Sequence, residues 1–443
     1  MDTIPTHRSP IDRRQFLRWG GLAAGAVALG PTLAACGQPT TTPSGTGSTG
    51  ATEVVFACTK LPGSISLQAW VDEYNTSQGK YKVTVRELPP PGSNTEVHQQ
   101  IVQSLSRKDG SIDVFSEDII WISEFANAGW TMKLDGKLDA ANLQDSFPGV
   151  VSGCTYKGSL SAVPWFVDAG QLYYRNDLIS RDEVPTQWEQ LADLASKLQS
   201  SGKVDYGFLW QAKQAEILVC DLVEYVASAG GSILGDDSVT VNIANEPAIN
   251  AVQFMYDLIN KYKVTPKDVL SWDEEPSRRP FTSGQAAMLR QWSYVYGVSQ
   301  TEDQSSVVGK VGVAPLPAFS GGKSAACLGG FQLGVSDASK NKDGALDFLN
   351  WAMKPETQIG FAKNFGNAPI RSSVYEDATF KQQQPAMSQL KAVFEGGTPR
   401  PVTPKYPQVS LALQSSVSKA LNSGDIAGEL QKCAAELQKI VTS

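Results

Sequence analysis

The feature that most constrains the fold is a regular alternation of short apolar runs and amphipathic segments near the start of the folded region. Three runs read as strands, and the two segments between them have helical periodicity. In chain order these elements are residues 54–57, 66–75, 81–88, 96–106 and 112–115. Strands that alternate with helices pair in parallel, with helices on both faces of the sheet. The sequence therefore predicts an α/β fold.

The third strand leads into residues 113–130, which carry the most informative polar group. Ser116, Glu117 and Asp118 follow the apolar run, and Trp121 lies on the apolar face of the next predicted helix. Ser116 can cap that helix, and carboxylates are favoured at its positive N-terminal end. Open α/β sheets bind ligands beyond the carboxyl ends of their strands, so this group suits an uncharged, polyhydroxylated ligand. The alternative is that the carboxylates only cap the helix and that Trp121 belongs to the core.

Length and charge exclude several classes of partner. With 443 residues the chain is too long for one ordinary core, so we expect two domains. The net charge is −7; residues 1–35 contribute four arginines and two aspartates, or +2, which leaves −9 for the rest. An acidic body without a basic stripe argues against nucleic acid and against an anionic membrane surface as partner.

Histidine and cysteine usage argues against catalysis and metal binding. His7 and His98 are the only histidines, which nearly removes histidine-based acid–base chemistry and histidine metal ligands. The cysteines form no C-x-x-C pair, and there is neither a phosphate-binding loop nor a G-x-S-x-G motif. We therefore expect no catalytic residue, no metal and no cofactor. The pairing of five cysteines stays open: Cys58, Cys154, Cys220, Cys327 and Cys433.

The N-terminal segment, residues 1–36, has the features of an export signal. Arg13 and Arg14 form a twin-arginine pattern, and residues 19–33 are an apolar stretch of the length of a signal h-region. Leu33 to Cys36 resembles the bacterial lipobox, which implies lipidation of Cys36 and anchoring to the outer face of the cytoplasmic membrane. The alternative is a membrane anchor followed by an incidental cysteine. Residues 37–52 are a flexible Gly/Ser/Thr tether.

Five segments, in this order, carry a resemblance to the solute-binding proteins of carbohydrate ABC importers. They are residues 113–130, 163–177, 281–288, 329–331 and 349–361. Within that family, residues 118–130, 274–275, 292 and 400–406 look most like the lipoproteins that recognise trehalose and maltose. The resemblance covers the chain from residue 53 to the C-terminus.

The resemblance implies a two-lobed periplasmic-binding-protein fold of type II, the Venus-flytrap arrangement, in which the lobes close around a ligand by hinge motion. Hinge crossings are expected near residues 162–166, 313–318 and 370–375. Lobe one would comprise residues 53–163 plus 316–371, and lobe two residues 164–315 plus 372–443.

Candidate ligand contacts follow from the resemblance and from sugar chemistry. Carboxylates accept hydrogen bonds from hydroxyls, aromatic faces cover C–H patches, and glycines let the backbone approach a ligand. The predicted contact residues are Glu117, Asp118, Trp165, Asp168, Glu216, Glu275, Trp292, Gly329, Gly330, Phe331 and Arg400. Each has a structural alternative, such as a hinge plug for Trp165, a core indole for Trp292 or a salt bridge for Arg400. The choice between Glu274 and Glu275 stays open.

The resemblance implies a monomeric binding protein that is not an enzyme. It would capture a disaccharide such as trehalose or maltose and deliver it to the permease subunits of an ABC importer. The membrane would be contacted only through the N-terminal lipid. One alternative is a binding protein for a non-sugar solute, such as a polyamine or glycerol phosphate. Another is a secreted glycoside hydrolase, whose two carboxylates would flank a glycosidic bond.

Overall fold

The computed structural model describes residues 50–61, 64–89, 94–235 and 237–443, and residues 50–443 form one compact unit. The predicted signal segment, Cys36 and nearly all of the tether lie outside the described residues. Within the described part of the chain, no helix combines the length with the apolar character that a membrane span needs.

Strands and helices are interspersed along the described chain. The strands are β1 Thr52–Thr59, β2 Tyr81–Leu88, β3 Val114–Asp118, β4 Thr155–Tyr156, β5 Ser159–Leu160, β6 Val163–Pro164, β7 Phe166–Ala169, β8 Gln171–Arg175, β9 Tyr206–Leu209, β10 Ala286–Gln291, β11 Val311–Ala314, β12 Leu328–Gly329, β13 Phe331–Val335 and β14 Ala368–Pro369. The helices are α1 Leu67–Ser77, α2 Asn94–Ser106, α3 Ile122–Asn127, α4 Ala140–Gln144, α5 Pro148–Gly153, α6 Trp188–Ser200, α7 Glu216–Ser228, α8 Glu246–Asn260, α9 Glu274–Thr282, α10 Tyr294–Ser299, α11 Lys342–Ala352, α12 Pro355–Phe365, α13 Ala378–Gln383, α14 Lys391–Glu395, α15 Tyr406–Ser423 and α16 Ile426–Thr442. Short 3-10 helices cover Arg181–Glu183, Lys267–Ser271, Ser372–Glu376 and Met387–Leu390.

Lobe one is built on a five-stranded sheet with the order β2-β1-β3-β13-β6. β1 pairs in parallel with both β2 and β3, which confirms the parallel sheet expected from the alternation. Ser66 caps α1 by accepting a hydrogen bond from the Ala69 N–H at 3.1 Å. β13 runs antiparallel to β3 and to β6, so a late part of the chain completes this early sheet.

Lobe two has its own four-stranded sheet, ordered β11-β8-β10-β9. A third sheet, β12-β7-β14, contains short strands that connect the lobes. The chain leaves the lobe-one sheet after β6, passes through β7 and enters the lobe-two sheet at β8. It returns from β11 through β12 to β13. The predicted two-lobed α/β fold with hinge crossings is therefore confirmed.

The exact lobe boundaries are a proposal. Core packing near residue 372 argues for a boundary different from the one expected from the sequence. The rings of Tyr375 and Phe394 lie 5.5 and 5.8 Å from that of Phe147, in the apolar cluster that also holds Val54. We expected this segment in lobe two. Because its side chains are buried in the lobe-one cluster, we propose that residues 372–395 belong to lobe one.

The other boundary shifts for the same reason. Leu316 is buried in the lobe-two cluster with Trp188 and Leu413, and Phe319 packs against that cluster. We therefore propose that lobe one resumes near β12 and not at residue 316. The last crossing would follow α14, because α15 packs on α7 and α8 of lobe two.

β3 differs from the elbow that we predicted. The strand continues through Asp118, and α3 begins only at Ile122. Ser116 does not cap a helix; its Oγ accepts the Thr59 N–H at 3.2 Å. The cause is β13, whose five residues pair with all five residues of β3 and extend it. Nothing in the sequence around β3 indicates that β13 will pair with it.

Glu117 lies opposite Gln332 in this pairing and is completely buried. Neither carboxylate oxygen has a hydrogen-bond partner among the described residues. Burial without a partner raises the pKa of Glu117 well above its usual 4.5, because the charged form loses its hydration.

Replacing Glu117 by glutamine should therefore stabilise the protein at neutral pH. Since the folded-state pKa is raised, the wild type is most stable below the unfolded pKa and loses stability as pH rises through the folded value. We expect Glu117→Gln to raise the free energy of unfolding at pH 7 by roughly 1–3 kcal/mol. Urea unfolding between pH 4.5 and 8 measures this, with the partly exposed Glu87→Gln as control. Parallel pH profiles for wild type and Glu117→Gln would contradict the assignment.

Candidate functional site

A cavity of about 740 Å³, here called the main cavity, lies between the two lobes. Nine of the eleven predicted contact residues line it. They are Asp118, Asp168, Glu216, Glu275, Trp292, Gly329, Gly330, Phe331 and Arg400. The volume falls within the range of roughly 300–1,000 Å³ that is typical of small-molecule sites. That these nine residues contact a ligand is still a prediction.

Arg400 connects the lobes across one wall of the main cavity. Its Nη2 donates to Asp118 Oδ1 of β3 at 2.8 Å, and its Nη1 donates to Glu216 Oε1 of α7 at 2.8 Å. Glu216 also accepts hydrogen bonds from Tyr406 and Ser410 at the start of α15. Asp118 Oδ2 accepts from Asn94 Nδ2 at 3.2 Å. The salt bridge that we weighed as the alternative role of Arg400 is therefore present, within the cavity wall itself.

Trp292 follows β10, and the buried guanidinium of Arg290 packs against its indole ring. The Arg290 guanidinium carbon lies 4.3 Å from the centre of the Trp292 ring. Arg290 is paired with Asp221 at 2.7 Å and with Glu224 at 2.5 Å, and all three side chains are almost completely buried. A Cβ on Gly329 would lie 3.2 Å from the indole, so the ring is confined there as well. These contacts fix the orientation of the ring at the cavity.

Asp168 joins the third sheet to the loop after β10. Its Oδ1 accepts the N–H groups of Ser293 and Ala169, both at 2.9 Å. Burial raises the pKa of Asp168 from 3.8 to about 6, although these two hydrogen bonds act in the opposite direction. The hydrogen bonds found among the described residues leave Oδ2 free to accept from a ligand.

The predicted glycine pair forms part of the cavity floor. Gly330 has φ +97°, and a Cβ there would lie 2.2 Å from the Phe166 carbonyl oxygen, so no other residue fits without rearrangement. Phe331 stands against Phe166, with ring centres 5.7 Å apart. Both phenylalanines line the main cavity and provide its apolar side.

Glu274 and Glu275 both reach the main cavity but differ in their partners. Glu275 is paired with Arg278 at 2.6 Å and accepts the Tyr294 hydroxyl at 3.0 Å, and the hydrogen bond from Arg278 lowers its pKa. Burial raises the pKa of Glu274 instead. The carboxylate of Glu274 therefore has fewer hydrogen-bond partners than that of Glu275, which is the one among the predicted contact residues.

Two predicted contact residues do not reach the cavity. Glu117 is buried between β3 and its neighbours, as described above. Trp165 is fully buried in lobe one, where its ring lies 4.8 Å from Phe361 and 5.7 Å from Trp70. The hinge-plug alternative describes Trp165 better. Its neighbour Phe166, the first residue of β7, lines the cavity instead.

Several cavity residues were missing from the prediction. They include Lys60, Phe166, Cys220, Arg278, Tyr294, Phe365 and Asn367. Phe166 lies two residues before Asp168 on β7, so strand alternation could have found it. Tyr294 begins α10, and no strand pattern covers it. Nothing in the sequence around Cys220, on the buried face of α7, indicated that it would line the cavity.

The five cysteines of the described residues are buried and free, and no cluster suited to a metal ion occurs among those residues.

Comparison with known proteins identifies the family. The model of the bacterial extracellular solute-binding protein family matches residues 62–359, and the twin-arginine translocation signal sequence matches residues 10–30. A protein of Deinococcus radiodurans named "probable ABC transporter-binding protein" is 32% identical over 393 residues, which is 86% of this chain and 92% of the relative. A mannitol-binding protein of Pseudomonas aeruginosa is 24% identical over 326 residues, 72% and 74% of the two chains.

Solved structures agree with this assignment. Maltose-bound MalE3 of T. maritima superposes with a TM-score of 0.80 at 34% identity, over 88% of this chain and 100% of that chain. A cyclic alpha-maltosyl-1,6-maltose binding protein from Arthrobacter globiformis shares the fold, with a TM-score of 0.75 at 23% identity, over 88% and 99%. The chain therefore belongs to the bacterial extracellular solute-binding proteins, and it is an extracytoplasmic binding component of an ABC transporter.

Proposed function

We propose that the protein captures a carbohydrate in the main cavity, specifically a disaccharide such as maltose or trehalose, and delivers it to membrane permease subunits. It would catalyse no reaction. A sugar that binds the closed form preferentially shifts the population of the two lobes toward closure, and the permease recognises that form. The lobes supply different walls of one cavity, so closure and ligand binding are coupled.

One observation carries this proposal. An indole fixed by Arg290 shares the main cavity with two carboxylates, Asp118 and Asp168, and with the guanidinium of Arg400. Aromatic faces cover the C–H patches of a pyranose, and charged groups hydrogen-bond its hydroxyls in both directions. The binding of maltose by the relative that is 34% identical supports the same class of ligand.

A thermal-shift panel on residues 37–443 tests the ligand class. Maltose, trehalose, sucrose, mannitol, glycerol phosphate and spermidine form the panel. A ligand at about one hundred times its dissociation constant adds about 2.7 kcal/mol, which corresponds to a rise of a few degrees in Tm. We expect a rise with a disaccharide. A rise only with glycerol phosphate or spermidine would replace the sugar proposal, and glucose release from maltose would indicate a hydrolase.

We further propose that the mature protein is a monomer anchored by a lipid on Cys36. The order of twin-arginine pair, apolar stretch and Leu-Ala-Ala-Cys supports lipidation. Mass spectrometry of the membrane fraction tests the anchor. Replacing Cys36 by serine should release the protein from the membrane while leaving sugar binding unchanged.

Asp168 makes sugar affinity dependent on pH. With a pKa of about 6, the carboxylate loses its charge between pH 7 and 5, and a charged acceptor binds a hydroxyl more strongly than a neutral one. We expect wild-type affinity to fall roughly tenfold over that interval. Asp168→Asn should bind more weakly at pH 7 and show a flatter profile by calorimetry.

The same substitution should act on stability with the opposite sign. Because the pKa of Asp168 is higher in the folded state, its stabilising effect is complete below about pH 4 and is lost as pH rises through 6. Asp168→Asn should therefore resist urea better than wild type at pH 7. The exposed Asp343→Asn serves as control. If the sugar affinities of wild type and Asp168→Asn changed with pH in the same way, the proposed contact between Asp168 and the sugar would be refuted.

A further inference from the structure

Two of the buried cysteines, Cys220 and Cys327, lie against each other although they are far apart in the chain. The Cys220 thiol is in hydrogen-bonding contact with the Cys327 thiol, and this contact together with burial raises the pKa of Cys220 well above its usual 9.0. Both side chains belong to the apolar cluster of lobe two and are almost completely buried. The two sulfur atoms are therefore neighbours in the folded protein.

One face of α7 holds this pair in place. Glu216, Cys220 and Glu224 follow one another at intervals of four residues, so their side chains lie on the same side of the helix. Glu224 Oε1 accepts the backbone N–H of Cys327 at 3.1 Å, one helical turn beyond Cys220. Glu216, one turn before Cys220, accepts from Arg400 at 2.8 Å. The backbone at Cys327 is therefore held against α7 by a contact that does not involve the thiols.

Cys327 lies at a junction between the lobes. It precedes β12, whose Gly329 pairs with Asp168 of β7 in the connecting sheet. It also forms a parallel bridge with Thr398, and the Thr398 N–H donates to the Ala326 carbonyl at 2.8 Å. Two of the segments that we propose as crossings therefore run side by side at Cys327, against a helix of lobe two.

The other three cysteines of the described residues have different surroundings. Their sulfur atoms have oxygen neighbours, at 3.2 Å for Cys58, 3.7 Å for Cys154 and 3.9 Å for Cys433. The protein acts outside the cytoplasm, where disulfides form and persist. Cys220 also lines the main cavity, so a small oxidant can reach it through the cleft.

We propose that Cys220 and Cys327 form a disulfide after export, which attaches α7 to the junction between the lobes. The oxidant is a disulfide of low molecular weight. The Cys220 thiolate attacks one of its sulfur atoms, the S–S bond of the oxidant breaks, and one half leaves as a thiolate. The Cys327 thiolate then attacks the Cys220 sulfur and displaces the other half. The two thiol protons of the protein end on the two thiols of the reduced oxidant.

Oxidation of reduced residues 37–443 with hydroxyethyl disulfide tests the proposal, at alkaline pH to raise the thiolate fraction. We expect the intact mass to fall by two hydrogen atoms and a peptide map to link Cys220 to Cys327. Because the bond closes a loop of about one hundred residues, Tm should rise by about 3–5 °C and return when dithiothreitol is added.

Single alanine variants assign these changes to the pair. Cys220→Ala and Cys327→Ala should each lose both the change in mass and the rise in Tm. Cys433→Ala removes another buried cysteine of the same apolar cluster and should keep both. The peptide map of the wild type decides the question even if a variant does not fold. A bond between other cysteines, a lasting adduct of the reagent on Cys220, or no reaction would overturn the proposal.

The exported protein provides a second test. In protein recovered from cells and unfolded, Cys220 and Cys327 should resist alkylation until a reductant is added, whereas Cys58 should be alkylated at once. Free thiols at both positions of the pair would overturn its formation after export. Neither test requires a sugar, so a failure here leaves the proposed function standing.

Discussion

Trp292→Ala is expected to weaken disaccharide binding about 30- to 900-fold, which corresponds to roughly 2–4 kcal/mol of binding free energy. The substitution removes the aromatic face and leaves the Arg290 guanidinium, now 4.3 Å from the ring, without its cover. Trp292→Phe keeps a smaller face in place and should lose only about tenfold. Titration calorimetry with the cognate sugar measures both variants.

Trp351 provides the control for losing an indole elsewhere. It is partly buried on α11, its ring lies 4.7 Å from Trp70, and it does not line the main cavity. Trp351→Ala should lower the Tm of the protein and leave its sugar affinity unchanged. If Trp292→Ala lowered only the Tm in the same way, Trp292 would be an ordinary core residue and the proposed site would be misplaced.

Arg400→Met is expected to destabilise the protein by about 3–5 kcal/mol and to abolish sugar binding at millimolar concentration. Removing the guanidinium leaves Asp118 and Glu216 without their shared counterion in a buried wall. An uncompensated buried charge costs more than the pair contributed. Urea unfolding and calorimetry measure the two effects separately.

A double variant separates charge from ligand contact. In Asp118→Asn combined with Arg400→Met, one stranded charge is gone, so we expect part of the stability to return while sugar affinity stays lost. Arg371→Met is the matched control, because Arg371 is paired with Asp145 at 2.9 Å and does not line the main cavity. It should destabilise without changing affinity. Recovery of sugar binding in the double variant would contradict direct contact by Arg400.

Local sequence was sufficient where a side chain's surroundings come from its own segment. The periodicities of α1 and β2 depend only on their own residues, and Tyr81–Leu88 has the bounds that we predicted. Trp292 lies at the end of a strand whose apolar residues are contiguous. Gly330 needs a positive φ that only the absence of a Cβ allows without strain. These positions could be predicted because the relevant constraint is short-range.

Prediction was poorer where the decisive partner is distant in the chain. Strand alternation shows that Glu117 and Asp118 point to opposite sides, but β13 decides which side is core. Trp165 is likewise buried by distant residues, since its ring packs against Trp70 and Phe361. Packing against Phe147 is the basis for our proposal that residues 372–395 belong to lobe one, whereas the sequence resemblance implies lobe two.

The sequence by itself determined the α/β alternation, the export signal, the family and nine of the 23 residues that line the main cavity. Only the tertiary structure decided that Arg400 pairs with Asp118 and Glu216, which are 282 and 184 positions away. The reason is physical. The spacing of apolar residues indicates only which face of a single helix or strand is buried, whereas a site between lobes depends on which distant elements form each wall.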